Sequence, residues 1–137
     1  MTGIEYTPDH VAISVTNLDR SIAWYNTRFG FEEEVRFGRE DLGMLGAMLR
    51  LGDYGLELFQ PTQDLQPLPE YAGDFHRNLR TVGTNHLCLR VADLEATHEH
   101  LSGLGDELSD IIEGRTTRYF TVKDPDGMHV EIKQPYN

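Results

Sequence analysis

The feature that most constrains the fold is an internal repeat. His10-Val-Ala-Ile-Ser-Val-Thr-Asn-Leu18 aligns at an offset of 76 with His86-Leu-Cys-Leu-Arg-Val-Ala-Asp-Leu94, matching the histidines, Val15 with Val91 and Leu18 with Leu94. Similarity at one fixed offset means that a single supersecondary unit has been used twice. Both segments place apolar residues at every second position: Val11, Ile13 and Val15 in one, Leu87, Leu89 and Val91 in the other. That is the period of a strand with one face in a core. Each strand runs into a helical stretch. The first opens near Asn17–Asp19 with Asn17 as cap, turns Ile22, Trp24 or Tyr25, and Phe29 inward, and stops at Gly30. The second runs from Asp93 to Leu104 with Asp93 as cap, turns Leu94, Thr97, Leu101 and Leu104 inward, and stops at Gly105.

Extended segments follow each helix, over 31–40, 44–51 and 55–60 in the first half and 107–111, 116–122 and 128–134 in the second. The halves also end alike. Glu57-Leu-Phe-Gln60-Pro61 and Glu131-Ile-Lys-Gln134-Pro135 share Glu-x-x-Gln-Pro, and the span from histidine to glutamate is 47 positions in one half and 45 in the other. Each half therefore reads strand–helix–strand–strand–strand, an α+β chain. One 137-residue domain is expected, with module one at 8–61, a linker at 62–83 and module two at 84–137. The linker carries Pro61, Pro67 and Pro69 at and after its start, and a short helix around Phe75–Leu79.

Charge restricts the partners. Twelve Lys and Arg against twenty-three Asp and Glu give a net charge of −11, with no basic stripe of the kind that displaces phosphate counterions. No nucleic acid and no anionic membrane are expected, though a local arginine pocket could still take an anionic small-molecule substrate. No apolar run approaches the ~20 residues of a membrane span, and Met1-Thr-Gly-Ile-Glu-Tyr6 is not a basic region leading into an apolar one. Cys88 is the single cysteine, so no internal disulfide forms and a reducing cytoplasm is expected.

The chemistry lies on the strand faces turned away from the apolar sets. These carry His10, Ala12 and Ser14; His86, Cys88 and Arg90; Glu57 and Phe59; and His129, Glu131 and Lys133. A carboxylate withdrawn from water without a partner costs several kcal/mol. A divalent cation held by His10, Glu57, His86 and Glu131 would offset that cost twice over, and imidazole with carboxylate suits Zn, Ni, Fe, Mn or Co. Arg90 and Lys133 share these faces and are candidates for holding a substrate anion, with Arg50, Arg118 and Lys123 behind them. His129 is a candidate substrate contact. His98 and His100 read as solvated, Cys88 as a small lining residue, and Asp124-Pro-Asp-Gly127 as turn chemistry.

Two stretches carry a resemblance. Residues 9–31, Asp9-His-Val-Ala-Ile-Ser-Val-Thr-Asn-Leu-Asp-Arg-Ser-Ile-Ala-Trp-Tyr-Asn-Thr-Arg-Phe-Gly-Phe31, and 124–134, Asp124-Pro-Asp-Gly-Met-His-Val-Glu-Ile-Lys-Gln134, resemble the opening and closing motifs of the vicinal oxygen chelate superfamily. That superfamily includes glyoxalase I, methylmalonyl-CoA epimerase, extradiol dioxygenases and bleomycin-binding proteins. The resemblance implies two tandem βαβββ modules whose strands form a curved eight-stranded cup, with helices on the outer face and one metal ion inside. It also implies a homodimer. The four-residue set is similar to that of glyoxalase I and the epimerase, which implies a metal-dependent lyase or isomerase moving a proton through a metal-stabilised enediolate, with Glu131 and Glu57 as acid and base. The alternatives are an Fe(II) extradiol-type dioxygenase and a metal-free binding protein.

Overall fold

The computed structural model describes residues 3–137, and the chain divides into two compact units, Met1–Gln66 and Pro67–Asn137. The first unit runs β1 (His10–Ser14), α1 (Leu18–Phe29), β2 (Glu32–Arg39), β3 (Met44–Leu51) and β4 (Tyr54–Pro61). Its sheet has the order β1-β4-β3-β2, with β1 parallel to β4 and the other pairs antiparallel. The second unit runs through a 3-10 turn (Glu70–Gly73), α2 (Phe75–Asn78), β5 (Leu87–Arg90), α3 (Leu94–Gly103), β6 (Ile112–Glu113), β7 (Thr117–Lys123) and β8 (His129–Pro135). Its sheet has the order β5-β8-β7-β6, again with the first and last strands parallel. The repeated strand–helix–three-strand pattern and the α+β class are thus present in both units.

The expected eight-stranded sheet resolves into two four-stranded ones. In each unit the first strand pairs with the last, so each repeat completes a sheet of its own. The apolar faces lie where alternation puts them. Ile13, Val15, Leu56 and Leu58 are buried in the first unit, and Leu87, Val130 and Ile132 in the second. Among the described residues no helix is long and apolar enough to cross a membrane.

The two longer helices, α1 and α3, begin the same way. Asn17 accepts from the Arg20 amide and Asp93 from the Ala96 amide, each at 3.0 Å. A helix start leaves further N–H groups without intrahelical partners, and the shared Gln of Glu-x-x-Gln-Pro takes one of them. Gln60 Oε1 accepts from Leu18 N at 2.7 Å, and Gln134 Oε1 accepts from Leu94 N at 2.8 Å. The end of each last strand therefore holds the first turn of its own helix. Gly30 follows α1 at φ 83° and Gly105 follows α3 at φ 84°, both left-handed positions that glycine takes without steric cost.

Several local expectations change. On α1 both Trp24 and Tyr25 are buried, while Ile22 and Phe29 are only half-buried. Leu104 is 45% exposed, because α3 ends at Gly103 and the helical stripe no longer governs the next side chain. The extended segment expected at 107–111 forms only a bridge between Leu108 and Val122. There Ser109 Oγ accepts the Thr121 N–H at 2.9 Å, so a side chain replaces a backbone carbonyl in the ladder. His98 is half-buried rather than solvated, bonded through Nε2 to the Ser109 carbonyl at 2.9 Å and edge-on to Phe120. The turn reading of 124–127 holds: buried Asp124 accepts from Asp126 N and Met128 N, and Gly127 has φ 90°.

Residues from Pro67 onward are tied into the second unit. His129 Nε2 bonds to the Gly73 carbonyl at 3.0 Å, and the side-chain amides of Asn78 and Asn85 donate to each other's backbone carbonyls at 3.3 and 3.0 Å. If the two glutamines anchor their helices, Gln60→Ala and Gln134→Ala will each lower stability by about 1 kcal/mol. Urea unfolding checks this, with a lower midpoint expected at unchanged m.

Candidate functional site

In the first unit the relevant pair is set by the parallel register of β1 and β4. Ala12 lies opposite Glu57, and His10, two residues earlier, shares that face. His10 Nε2 is 3.6 Å from Glu57 Oε1, with side-chain exposures of 36% and 20%. The other imidazole nitrogen, Nδ1, is 2.6 Å from Asp9 Oδ2. An ionised carboxylate accepts and never donates, so Nδ1 carries a proton, and in the neutral ring Nε2 is left with the lone pair. The His10 hydrogen bond, with help from the Arg50 guanidinium, holds the Asp9 carboxyl below the usual carboxylate range.

Asp9 is in turn held by Arg50. Nη1 donates to the Asp9 carbonyl at 3.1 Å and Nη2 to Oδ1 at 3.4 Å, while Nε donates to Glu34 at 2.9 Å. This packing explains Gly55. A Cβ there would sit 2.7 Å from His10 Cβ and 2.8 Å from both Arg50 Nη1 and the Asp9 carbonyl oxygen. The glycine is required by space.

In the second unit His86 immediately precedes β5, and Cys88 lies opposite Glu131, so the imidazole and carboxylate stand in the same diagonal relation. His86 Nε2 is 3.0 Å from Glu131 Oε2, with exposures of 20% and 17%. His86 Nδ1 is buried and has no hydrogen-bond partner. Phe75 packs on the His86 ring at 4.9 Å and on the His129 ring at 5.6 Å. Burial, with the Glu131 carboxylate beside it, pushes the Cys88 thiol up to about 12. Thiolate is the reactive form, which makes this cysteine a poor nucleophile at neutral pH.

The candidate substrate contacts are placed as follows. Arg90 lies opposite Lys133 in the β5–β8 register, the first exposed and the second half-buried. His129 uses both ring nitrogens, Nδ1 with Thr121 Oγ1 at 3.1 Å and Nε2 with the Gly73 carbonyl. Arg50 is committed to Asp9 and Glu34, Arg118 to Glu95 and Glu113, and Lys123 to Glu107. Asp9 and Phe75 carry no signal of a site role in the sequence pattern, and Arg50, a secondary candidate for a substrate anion, is engaged by Asp9 and Glu34 instead. Asp9 is visible only as the neighbour of His10. Nothing in the pattern links Arg50 to it across 41 positions.

A divalent ion suits these residues in kind. With the His10 ring neutral, two acceptors face each other at 3.6 Å, too long for a hydrogen bond, an arrangement that a shared cation favours and a bare lone-pair contact does not. Imidazole nitrogen at about 2.0–2.1 Å and carboxylate oxygen at similar length are ordinary ligands of such ions. Among the described residues no group of three or more His, Cys, Asp or Glu is arranged to hold a metal. What each unit presents is a pair.

Comparison with known proteins places the chain. Residues 7–132 match the family model described as the Glyoxalase/Bleomycin resistance protein/Dioxygenase superfamily. The chain belongs to this superfamily. It is 25% identical over 131 residues to the human mitochondrial methylmalonyl-CoA epimerase, covering 92% of this chain and 72% of that protein. It is 27% identical over 132 residues to the ethylmalonyl-CoA/methylmalonyl-CoA epimerase of Cereibacter sphaeroides, covering 92% and 96%. Among solved structures, a glyoxalase family protein from Enterococcus faecalis superposes with a TM-score of 0.78 at 25% identity, covering 97% of this chain and 99% of the other.

Two outcomes follow from the geometry. Cys88 will alkylate with iodoacetamide far more slowly in the folded protein than in urea at neutral pH, followed by mass spectrometry. Gly55→Ala will destabilise the protein by about 1–3 kcal/mol, because the Asp9 carbonyl and His10 Cβ, fixed by the backbone, cannot both retreat from the added methyl. Thermal unfolding reads this out.

Proposed function

We propose that the chain is a divalent-metal-dependent lyase or isomerase of the glyoxalase I or epimerase type, moving a proton at a carbon next to a carbonyl. One observation carries the reading: an imidazole–carboxylate pair occurs once in each unit, in the same diagonal relation across parallel strands. His10, Glu57, His86 and Glu131 are the proposed metal ligands. The similarity to two epimerases supports the reaction class. When bound by these residues, a divalent ion would supply Lewis acidity to stabilise negative charge on a substrate oxygen. Glu131 takes the proton from carbon as general base, and the Oε2 that faces His86 need not be the atom that does so, since a carboxylate has two acceptor oxygens. Glu57 is the second acid–base group. Two carboxylates allow a proton to leave one face of a planar intermediate and return to another position. Arg90 and Lys133 hold an anionic group of a small-molecule substrate, and the enzyme works as a cytoplasmic homodimer.

Solvent-deuterium incorporation, followed by mass spectrometry over a panel of 2-oxo thiohemiacetals and 2-methylacyl thioesters, tests the proposal. Incorporation on at least one class is expected. Chelation should abolish it and a divalent ion restore it. Glu131→Gln should retain bound metal and lose about 10²–10⁴ in rate. Incorporation that survives chelation, or a Glu131→Gln variant of undiminished rate, overturns the assignment. A metal-loaded protein that consumes oxygen with catechols instead would shift it to a dioxygenase.

A further inference from the structure

The two histidines are not held alike. His10 Nδ1 meets the Asp9 carboxylate at 2.6 Å, whereas His86 Nδ1 has no hydrogen-bond partner among the described residues. We infer that Asp9, braced by Arg50, is a positioning residue that fixes His10 as the Nδ1–H tautomer and keeps its Nε2 lone pair on the side of Glu57. Its consequence for metal binding rests on the function proposed above.

Three observations support the inference independently. The carboxylate is acceptor-only, so the short contact dictates where the imidazole proton resides. The Asp9 side chain is 64% exposed, and water would compete for it. Arg50 counters that competition by gripping both the Asp9 carbonyl and Oδ1, while its own Nε is anchored on Glu34. Finally, Gly55 leaves free the space beside this cluster, and a Cβ there would strike His10 Cβ, Arg50 Nη1 and the Asp9 carbonyl oxygen. At the corresponding place in the second unit, two residues before its glutamate, stands His129, and among the described residues no carboxylate meets His86 Nδ1. A carboxylate on the far nitrogen of a ligating histidine fixes ring orientation and raises its basicity. His10 is thereby ready to ligate.

The test is imidazole ¹⁵N–¹H correlation NMR on metal-free protein, at a pH where histidine is neutral, together with Zn²⁺ titration against a chromophoric chelator. In the wild-type chain His10 should appear as the Nδ1–H tautomer. Asp9→Ala should release it toward Nε2–H and weaken Zn²⁺ binding 10–100-fold. Asp9→Asn keeps an acceptor oxygen and should retain the tautomer with a smaller loss. Wild-type His10 found as Nε2–H, or an Asp9→Ala spectrum with the His10 tautomer unmoved, overturns the inference. Should Asp9→Ala not fold, Arg50→Gln gives the same reading: a partial tautomer shift supports the brace and none refutes it. A tautomer that moves as expected in a protein with no Zn²⁺ affinity upholds the positioning role and removes the metal reading instead.

Discussion

The parallel pairing of the first strand with the last, β1 with β4 and β5 with β8, is the constraint from which the rest of each unit follows. Parallel neighbours in one sheet present the same face at matched register. A histidine two residues before the partner of a glutamate therefore stands beside that glutamate without any further device. The same pairing carries Gln60 and Gln134 to the starts of α1 and α3, which orients each helix over the apolar face opposite the polar pair. The chemistry-bearing face and the core-bearing face are thus set by one register. A slip of one residue would exchange them.

Much of this was legible because it is periodic or repeated. The offset of the histidines, the alternation of Val11, Ile13 and Val15, and the shared Glu-x-x-Gln-Pro each follow from a strand that must present one face inward. Asn17 and Asp93 were legible because a helix start needs a side-chain acceptor. The role of the shared Gln was not, since its partner lies 42 positions away in one unit and 40 in the other. Hydrogen bonds across such distances leave no local pattern. The same holds for Arg50 on Asp9 and for His98 on Ser109. The broken edge at Ser109 was missed because a side chain there substitutes for backbone, which alternation alone does not report. The exposure of Leu104 was missed because the helix ended one residue sooner.

The two units also diverge where repetition would predict sameness. Gly55 opens room for the Asp9 carbonyl and the Arg50 guanidinium beside His10, whereas His129 occupies the matching position and ties β8 to Gly73. His10 is the more exposed histidine and has its proton placed by a neighbour. His86 is enclosed by Phe75, and its Nε2 lies at hydrogen-bond distance from Glu131. A duplicated module has in this way acquired two differently tuned imidazole–carboxylate pairs. Membership of a superfamily whose description names glyoxalases, bleomycin-resistance proteins and dioxygenases fits such a frame, in which function is decided by the side chains on the polar face.

The central claim is that these pairs coordinate a divalent ion. X-ray absorption spectroscopy of the protein loaded with one equivalent of Zn²⁺ tests it most directly. The account predicts a first shell of nitrogen and oxygen with the outer scattering of imidazole rings, reduced in His10→Ala and in His86→Ala. A shell of oxygen alone, or imidazole scattering that neither substitution changes, would contradict it.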